Sequence, residues 1–197
     1  MSDTPDMNEA DDFRLVPCLA ADLRRARELL REPAGDVSGL KLWLGVLSPR
    51  FAPVLLCRLA HSFYLLKLGP VAKAISLINF FLFGIEIAMR CPIGPGLFLP
   101  HTQGTVIGAW RVGANATIFQ GVTLGAREVD FSYSEQSRPI IGESVTIGSG
   151  AKVLGGLHIG DGARVGANSV VLQSIPPNAL AVGAPARVVS KQQAEFP

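Results

Sequence analysis

A branched aliphatic residue returns at every sixth position through the second half of this chain. Ile141, Ile147, Val153, Ile159, Val165 and Val171 hold one phase without a break. Ile87, Ile93 and Leu99 form an earlier set, and Val112, Ile118 and Leu124 another. A glycine often follows, as at Gly94, Gly142, Gly148, Gly160 and Gly166. A period of six is neither the 3.6 of a helix nor the 2 of a simple strand. Internal repeats of this kind outrank local propensity in deciding a fold.

Three hexapeptides make one triangular coil in which the aliphatic side chains point inward and stack coil on coil. The expected fold is therefore mainly β: a left-handed parallel β-helix over residues 85–189, preceded by a small α-helical region over 18–84. Residues 1–17 and 190–197 read as polar tails. The rhythm breaks twice. Ile107 to Val112 is a step of five, which adjusts the coil. Ala126 to Pro139 is polar and lacks the inward aliphatics, so it reads as a loop extruded from the coil. Loops on rigid scaffolds are favoured places for binding residues. Pro176 and Pro177 end the array, and a last strand is expected to cap its open end.

The region before the array has the helical period. Leu19–Arg31 is amphipathic with a basic outer face, and Leu40–Leu47 is short and apolar. Phe51–Leu68 ends at Gly69-Pro70, and Val71–Phe83 ends at Gly84. The last two are apolar on more than one face, so they must pack on each other, on the array, on another subunit or on lipid. Mean hydropathy is +0.33. The most apolar run, Ala74–Ile85, is about twelve residues, short of the roughly twenty that cross a bilayer.

The net charge of +2 comes without a basic stripe interleaved with aromatics, which argues against nucleic acid as a partner. Met1–Asp12 is acidic and lacks a signal-peptide pattern. A cytoplasmic location is expected, with peripheral membrane contact left open. Cys18, Cys57 and Cys91 are far apart and read as reduced, partly buried thiols rather than a zinc or disulfide framework.

His101 sits inside the array. Around it are Gly94-x-Gly96-Leu97-Phe98-x-x-His101, Gly84-Ile85-Glu86-Ile87, Arg58-Leu59-Ala60-His61, Gln120-Gly121-Val122-Thr123-Leu124-Gly125 and Gly183-Ala184-Pro185-Ala186-Arg187. Over about residues 51–189 these motifs resemble the hexapeptide-repeat acyltransferases, and within them the serine acetyltransferase group. The chain is also similar to exopolysaccharide O-acetyltransferases. The resemblance implies acetyl-CoA as donor, no metal, and direct transfer to a hydroxyl. It implies a homotrimer with a site in each groove between neighbouring β-helices, and allows a dimer of trimers through the N-terminal helices. It places the general base on His101 and the carboxylate that orients it on Glu86, where serine acetyltransferases carry Asp. It maps backbone contacts to CoA onto Gly148-Ser149 and Gly166-Ala167, with Lys152, Arg164 and Arg187 as candidates for the phosphates.

The chemistry agrees with that placement. A hydroxyl attacks poorly until its proton is removed, and a neutral imidazole near pH 7 is suited to remove it, with gains of about 10²–10⁴-fold. A carboxylate on the other ring nitrogen fixes the tautomer and stabilises the imidazolium. With about eighteen residues per coil, Glu86 and His101 are expected on one face of successive coils, three positions apart along the strand. His61 reads as a helix-packing residue and His158 as a solvent-facing one. A zinc enzyme would need three metal-binding histidines, and the array offers His101 and His158.

Two positions depart from the serine acetyltransferase pattern. Pro100 stands where Asp usually precedes the catalytic His, and Ser137-Arg138-Pro139 stands where Arg-His-Pro usually follows the loop. Pro100 and Arg138 thus fall at acceptor-binding positions, and Arg138 is a candidate for a substrate carboxylate. The ending Ala194-Glu195-Phe196-Pro197 lacks the terminal Ile that family members insert into cysteine synthase, which weighs against that partner. The expected function is O-acetylation of a sugar hydroxyl in polysaccharide biosynthesis. The alternatives are serine O-acetylation in cysteine biosynthesis, and a non-catalytic trimeric scaffold.

Overall fold

The computed structural model describes residues 15–30 and 48–189. The expected apolar segment Leu40–Leu47, most of the N-terminal tail and the 190–197 tail lie outside the described residues.

Among the described residues, three helices precede the array: α1 (Leu15–Leu29), α2 (Ala52–Leu65) and α3 (Gly69–Phe83). Helix α1 starts four residues before the expected Leu19. Pro17 falls in its first turn, where a missing N–H costs no helical hydrogen bond, so the proline does not delay the start. Pro53 and Pro70 likewise occupy the first turns of α2 and α3. Helix α3 stops at Gly84, which adopts the left-handed conformation at φ 62° and donates its N–H to Phe80 O. Leu19 and Leu23 of α1 pack on Phe51, while Val54 and Cys57 of α2 join the core of the array.

The array is the left-handed parallel β-helix that the six-residue period predicts. One face stacks β1 (Ile85–Ile87), β2 (Thr105–Ile107), β5 (Thr123–Gly125), β8 (Lys152–Leu154) and β11 (Val170–Val171). A second face stacks β4 (Thr117–Ile118), β7 (Thr146–Ile147), β10 (Arg164–Val165), β12 (Leu180–Gly183) and β13 (Ala186–Val189). The third holds β3 (Arg111–Val112), β6 (Ile140–Ile141) and β9 (His158–Ile159). Strand β13 alone runs antiparallel, folding back on β12 over the end of the helix.

The stacking pairs follow the aliphatic rhythm. Ile87, Ile107, Leu124, Val153 and Val171 form one inward column by direct register. Ile118, Ile147, Val165 and Ala181 form a second, and Val112, Ile141 and Ile159 a third. Each large aliphatic side chain buried this way contributes roughly 1.5–3 kcal/mol. At the corners, Gly150 has φ 72°, and a Cβ there would meet Asn168 Oδ1 at 2.1 Å. A side chain there would be strained by the backbone conformation and would displace the Asn168 amide.

Coil length varies, and the variation places the site. From β7 to β10 the register advances 18 residues, Thr146 facing Arg164. From β1 to β2 it advances 20, Ile85 facing Thr105. From β4 to β7 it advances 29, Thr117 facing Thr146, because the chain leaves the coil after β5 and rejoins it at β6. A short 3-10 turn, Glu135–Ser137, lies in that excursion.

Candidate active site

His101 lies between the Phe98–Thr117 bridge and β2, on a segment tied down at both ends. Leu99 is fully buried in the core. Thr102 donates its hydroxyl to Phe83 O at 2.7 Å, and Gly104 N–H donates to Gly84 O at 2.9 Å. The backbone around His101 is therefore fixed to the end of α3, while the imidazole is exposed to solvent. Pro100 beside it is half-buried and has no side-chain donor for a ligand.

The segment leading to His101 is held by a buried ion pair that sequence reasoning missed. Asp22 of α1 and Arg58 of α2 are almost fully buried. Arg58 Nε and Nη2 donate to the two oxygens of Asp22, each at 3.0 Å. The guanidinium also donates to Ile93 O and, at 2.7 Å, to Gly94 O. Asp22 Oδ1 in turn accepts the N–H groups of Gly96 and Leu97, each at 2.8 Å. Burial pushes the Asp22 carboxyl up, and Arg58 with the two amides pulls it back. One charged pair from the helices thus satisfies the carbonyls of Ile93 and Gly94 and the amides of Gly96 and Leu97. A signal was available: Asp22 sits at i+3 from Leu19, inside the apolar stripe of α1 rather than on its polar face.

His61 packs as expected. It is half-buried, its Nδ1–H donates to Met89 O at 2.8 Å, and burial lowers its pKa. His158 is exposed on β9.

Glu86 is exposed at the centre of β1, but its register differs from expectation. It faces Val106, five residues beyond His101, rather than a position three residues beyond. The cause is the 20-residue first coil, two residues longer than the regular turn. Among the described residues no hydrogen bond or ion pair joins Glu86 to His101.

Arg138 is also placed otherwise than a free carboxylate binder requires. Its Nε pairs with Asp130 Oδ2 at 2.9 Å, Nη1 donates to Gly108 O at 2.8 Å, and Nη2 donates to Asp130 O at 3.2 Å. The guanidinium lies over the Tyr133 ring, 4.1 Å from its centroid. Tyr133 donates its hydroxyl to Ala109 O at 2.7 Å, and Trp110 packs nearby with ring centroids 6.0 Å apart. Asp130 also accepts from the N–H groups of Ser132, Tyr133 and Ser134 and from the Ser132 hydroxyl. These bonds, with the Arg138 guanidinium, hold the Asp130 carboxyl well down, at about 2. Arg138 is thus an anchor of the extruded loop, with all three guanidinium nitrogens engaged.

The expected CoA positions fall at two stacked corners. Gly148 N–H donates to Val165 O and Gly166 N–H to Ala181 O, both at 2.8 Å, so these two amides belong to the coil ladder. Among the described residues the Ser149 and Ala167 amides, one coil apart, have no acceptor within the chain. Lys152 folds back to donate Nζ to Gly121 O at 2.5 Å and to Thr123 Oγ1 at 3.1 Å. Arg164 and Arg187 are exposed on β10 and β13.

The coil and its site define a hexapeptide-repeat transferase. The family described as bacterial transferase hexapeptide (six repeats) matches residues 138–173. Serine acetyltransferase from Helicobacter pylori strain J99 is 40% identical over 149 residues, which are 75% of this chain and 85% of that protein. The crystal structure of Neisseria gonorrhoeae serine acetyltransferase matches with a TM-score of 0.77 at 33% identity, over 92% of this chain and 67% of that one. Soybean serine acetyltransferase complexed with serine matches with a TM-score of 0.75 at 35% identity, over 92% and 72%. The chain belongs to the serine acetyltransferase family and is an acyltransferase that takes its acetyl group from acetyl-CoA.

The expected sugar acceptor, and with it a place in polysaccharide biosynthesis, is overturned by this comparison. That reading rested on Pro100 and Arg138 as departures at acceptor positions. In this structure Arg138 is engaged by Asp130 and Tyr133 of the loop and by Gly108.

Proposed function

We propose that the protein acetylates the hydroxyl of L-serine, with His101 as general base. The observation that carries this reading is the similarity to serine acetyltransferases along 92% of the chain. In the proposed reaction a nitrogen of His101 removes the hydroxyl proton as the oxygen attacks the acetyl carbonyl carbon. A tetrahedral oxyanion forms, the C–S bond breaks, and the imidazolium returns the proton to the departing CoA thiolate. O-acetylserine and free CoA result. A neutral imidazole is the required starting state.

In this reading the groove closes when three copies assemble. His101 and Glu86 are both exposed on a single chain, where water would compete with the acceptor. A neighbouring β-helix against this face would exclude that water and strengthen the electrostatics of the site. The free amides of Ser149 and Ala167 would meet the amide groups of the CoA arm, and Arg164 and Arg187 its phosphates.

The test is release of free thiol from acetyl-CoA with L-serine as acceptor. Turnover saturating at millimolar serine is expected, with a product of the mass of O-acetylserine. Absence of serine-dependent thiol release from protein that binds CoA would sink the assignment.

A further inference from the structure

Helix α3 is apolar around most of its circumference, yet it is covered on one side only. Ala72 and Asn79 are its fully buried residues, facing α2, where Asn79 Nδ2 donates to Pro53 O at 3.0 Å. On the opposite side Val71, Leu77, Ile78 and Phe81 are exposed, Phe81 at 78%. The stripe continues around the α2–α3 turn, where Leu65 and Leu66 are 58% and 67% exposed. A helix that is hydrophobic all round belongs in a buried setting, and single soluble chains rarely leave so continuous a patch open. Among the described residues no helix is long and apolar enough to cross a membrane, so the stripe is a surface to be covered rather than a span.

Charge indicates what covers it. From Ser48 to Phe83 the chain has no Asp or Glu. Its exposed cations there are Arg50, Lys67 and Lys73, with Lys67 at the turn and Lys73 on the stripe itself. A second copy of this hairpin would bring the same cations without an acid to pair with them. An anionic lipid surface supplies both an apolar layer for the leucines and phenylalanine and negative headgroups for the lysines. We propose that the α2–α3 hairpin docks the protein on an anionic membrane surface, with the stripe in the headgroup boundary and Lys67 and Lys73 on the phosphates. This proposal does not depend on the identity of the acceptor.

Co-sedimentation of the full chain with vesicles tests it, comparing phosphatidylcholine alone with a mixture containing roughly one-third phosphatidylglycerol. Binding to the anionic vesicles and its weakening by salt are expected. Leu66→Glu with Ile78→Glu should reduce binding at least tenfold. Lys67→Gln with Lys73→Gln, which leaves the apolar stripe intact and guards against misfolding of the first pair, should reduce it about fivefold per lysine. Light scattering on the same samples should give one assembly mass for wild type and variants. Failure of the wild type to bind anionic vesicles overturns the proposal. So does a fall in assembly mass on introducing the glutamates, since the stripe would then be a contact between subunits.

Discussion

Arg58 on α2 and Asp22 on α1 meet in a bidentate pair, both contacts at 3.0 Å, and together close on the turn Gly94–Leu97. The pair lies 36 residues apart in sequence and four to seven residues before His101 in the turn it holds. It couples the helical region to the coil that carries His101. Arg58 donates to the carbonyls of Ile93 and Gly94 and Asp22 accepts the amides of Gly96 and Leu97, so neither charge is left without partners in the interior.

Removing one partner should therefore cost more than a surface pair would. Asp22→Asn or Arg58→Met leaves a buried charge uncompensated, for which losses of about 3–5 kcal/mol are typical. Chemical denaturation of the single variants should show that loss. The double variant should recover part of it, since the interior is then free of unpaired charge. Activity should fall in the single variants even where they remain folded, because the turn positions the segment bearing His101.

His101→Ala should lower kcat by at least a hundredfold while leaving the melting temperature within a few degrees of wild type. The imidazole is exposed, so its removal creates no core cavity. Its backbone is held by Thr102 and Gly104 rather than by the ring. Full activity in the variant would show that another group takes the proton.

Asp130 makes the extruded loop sensitive to acid. Its carboxyl is held at about 2 by the Ser132 hydroxyl, neighbouring amides and Arg138, below the ordinary value near 3.9 of an unfolded chain. A depressed folded-state pKa means that its contribution is present in full above about pH 4 and is lost as pH falls toward 2. Trp110, stacked near Tyr133, is the reporter. Its fluorescence should change over that window in the wild type, and Asp130→Asn should show the altered signal already at neutral pH. An unchanged acid transition in the variant would remove Asp130 as its cause.

Much of the fold was legible before the structure. The inward columns built on Ile147, Val153 and Ile159 are the residues that the six-residue period picks out, because each repeat must bury the same side chain on its neighbours. The excursion from 126 to 139 was visible as a loss of that rhythm. Helix α3 was delimited by Gly69-Pro70 and Gly84, whose backbone preferences act locally. Less legible were the charged residues. Arg138 looked like an available acceptor-binding cation, and nothing nearby in sequence showed that Asp130 and Tyr133 would converge on it. Asp22 looked like one charge among several on a basic helix.

The sequence by itself determined the repeat, the coil it builds and the place of His101 within it, since a period of six with inward aliphatics is a local rule repeated along the chain. Only the tertiary structure decided the register of the first coil. Its two additional residues place Glu86 opposite Val106; in the sequence they show only as a step of eight from Leu99 to Ile107, which tells that the coil is adjusted there but not which residue Glu86 faces. It likewise decided which charges are spent on holding the turn and the loop, because hydrogen-bond partners across 36 residues are chosen by packing and not by neighbours in the chain.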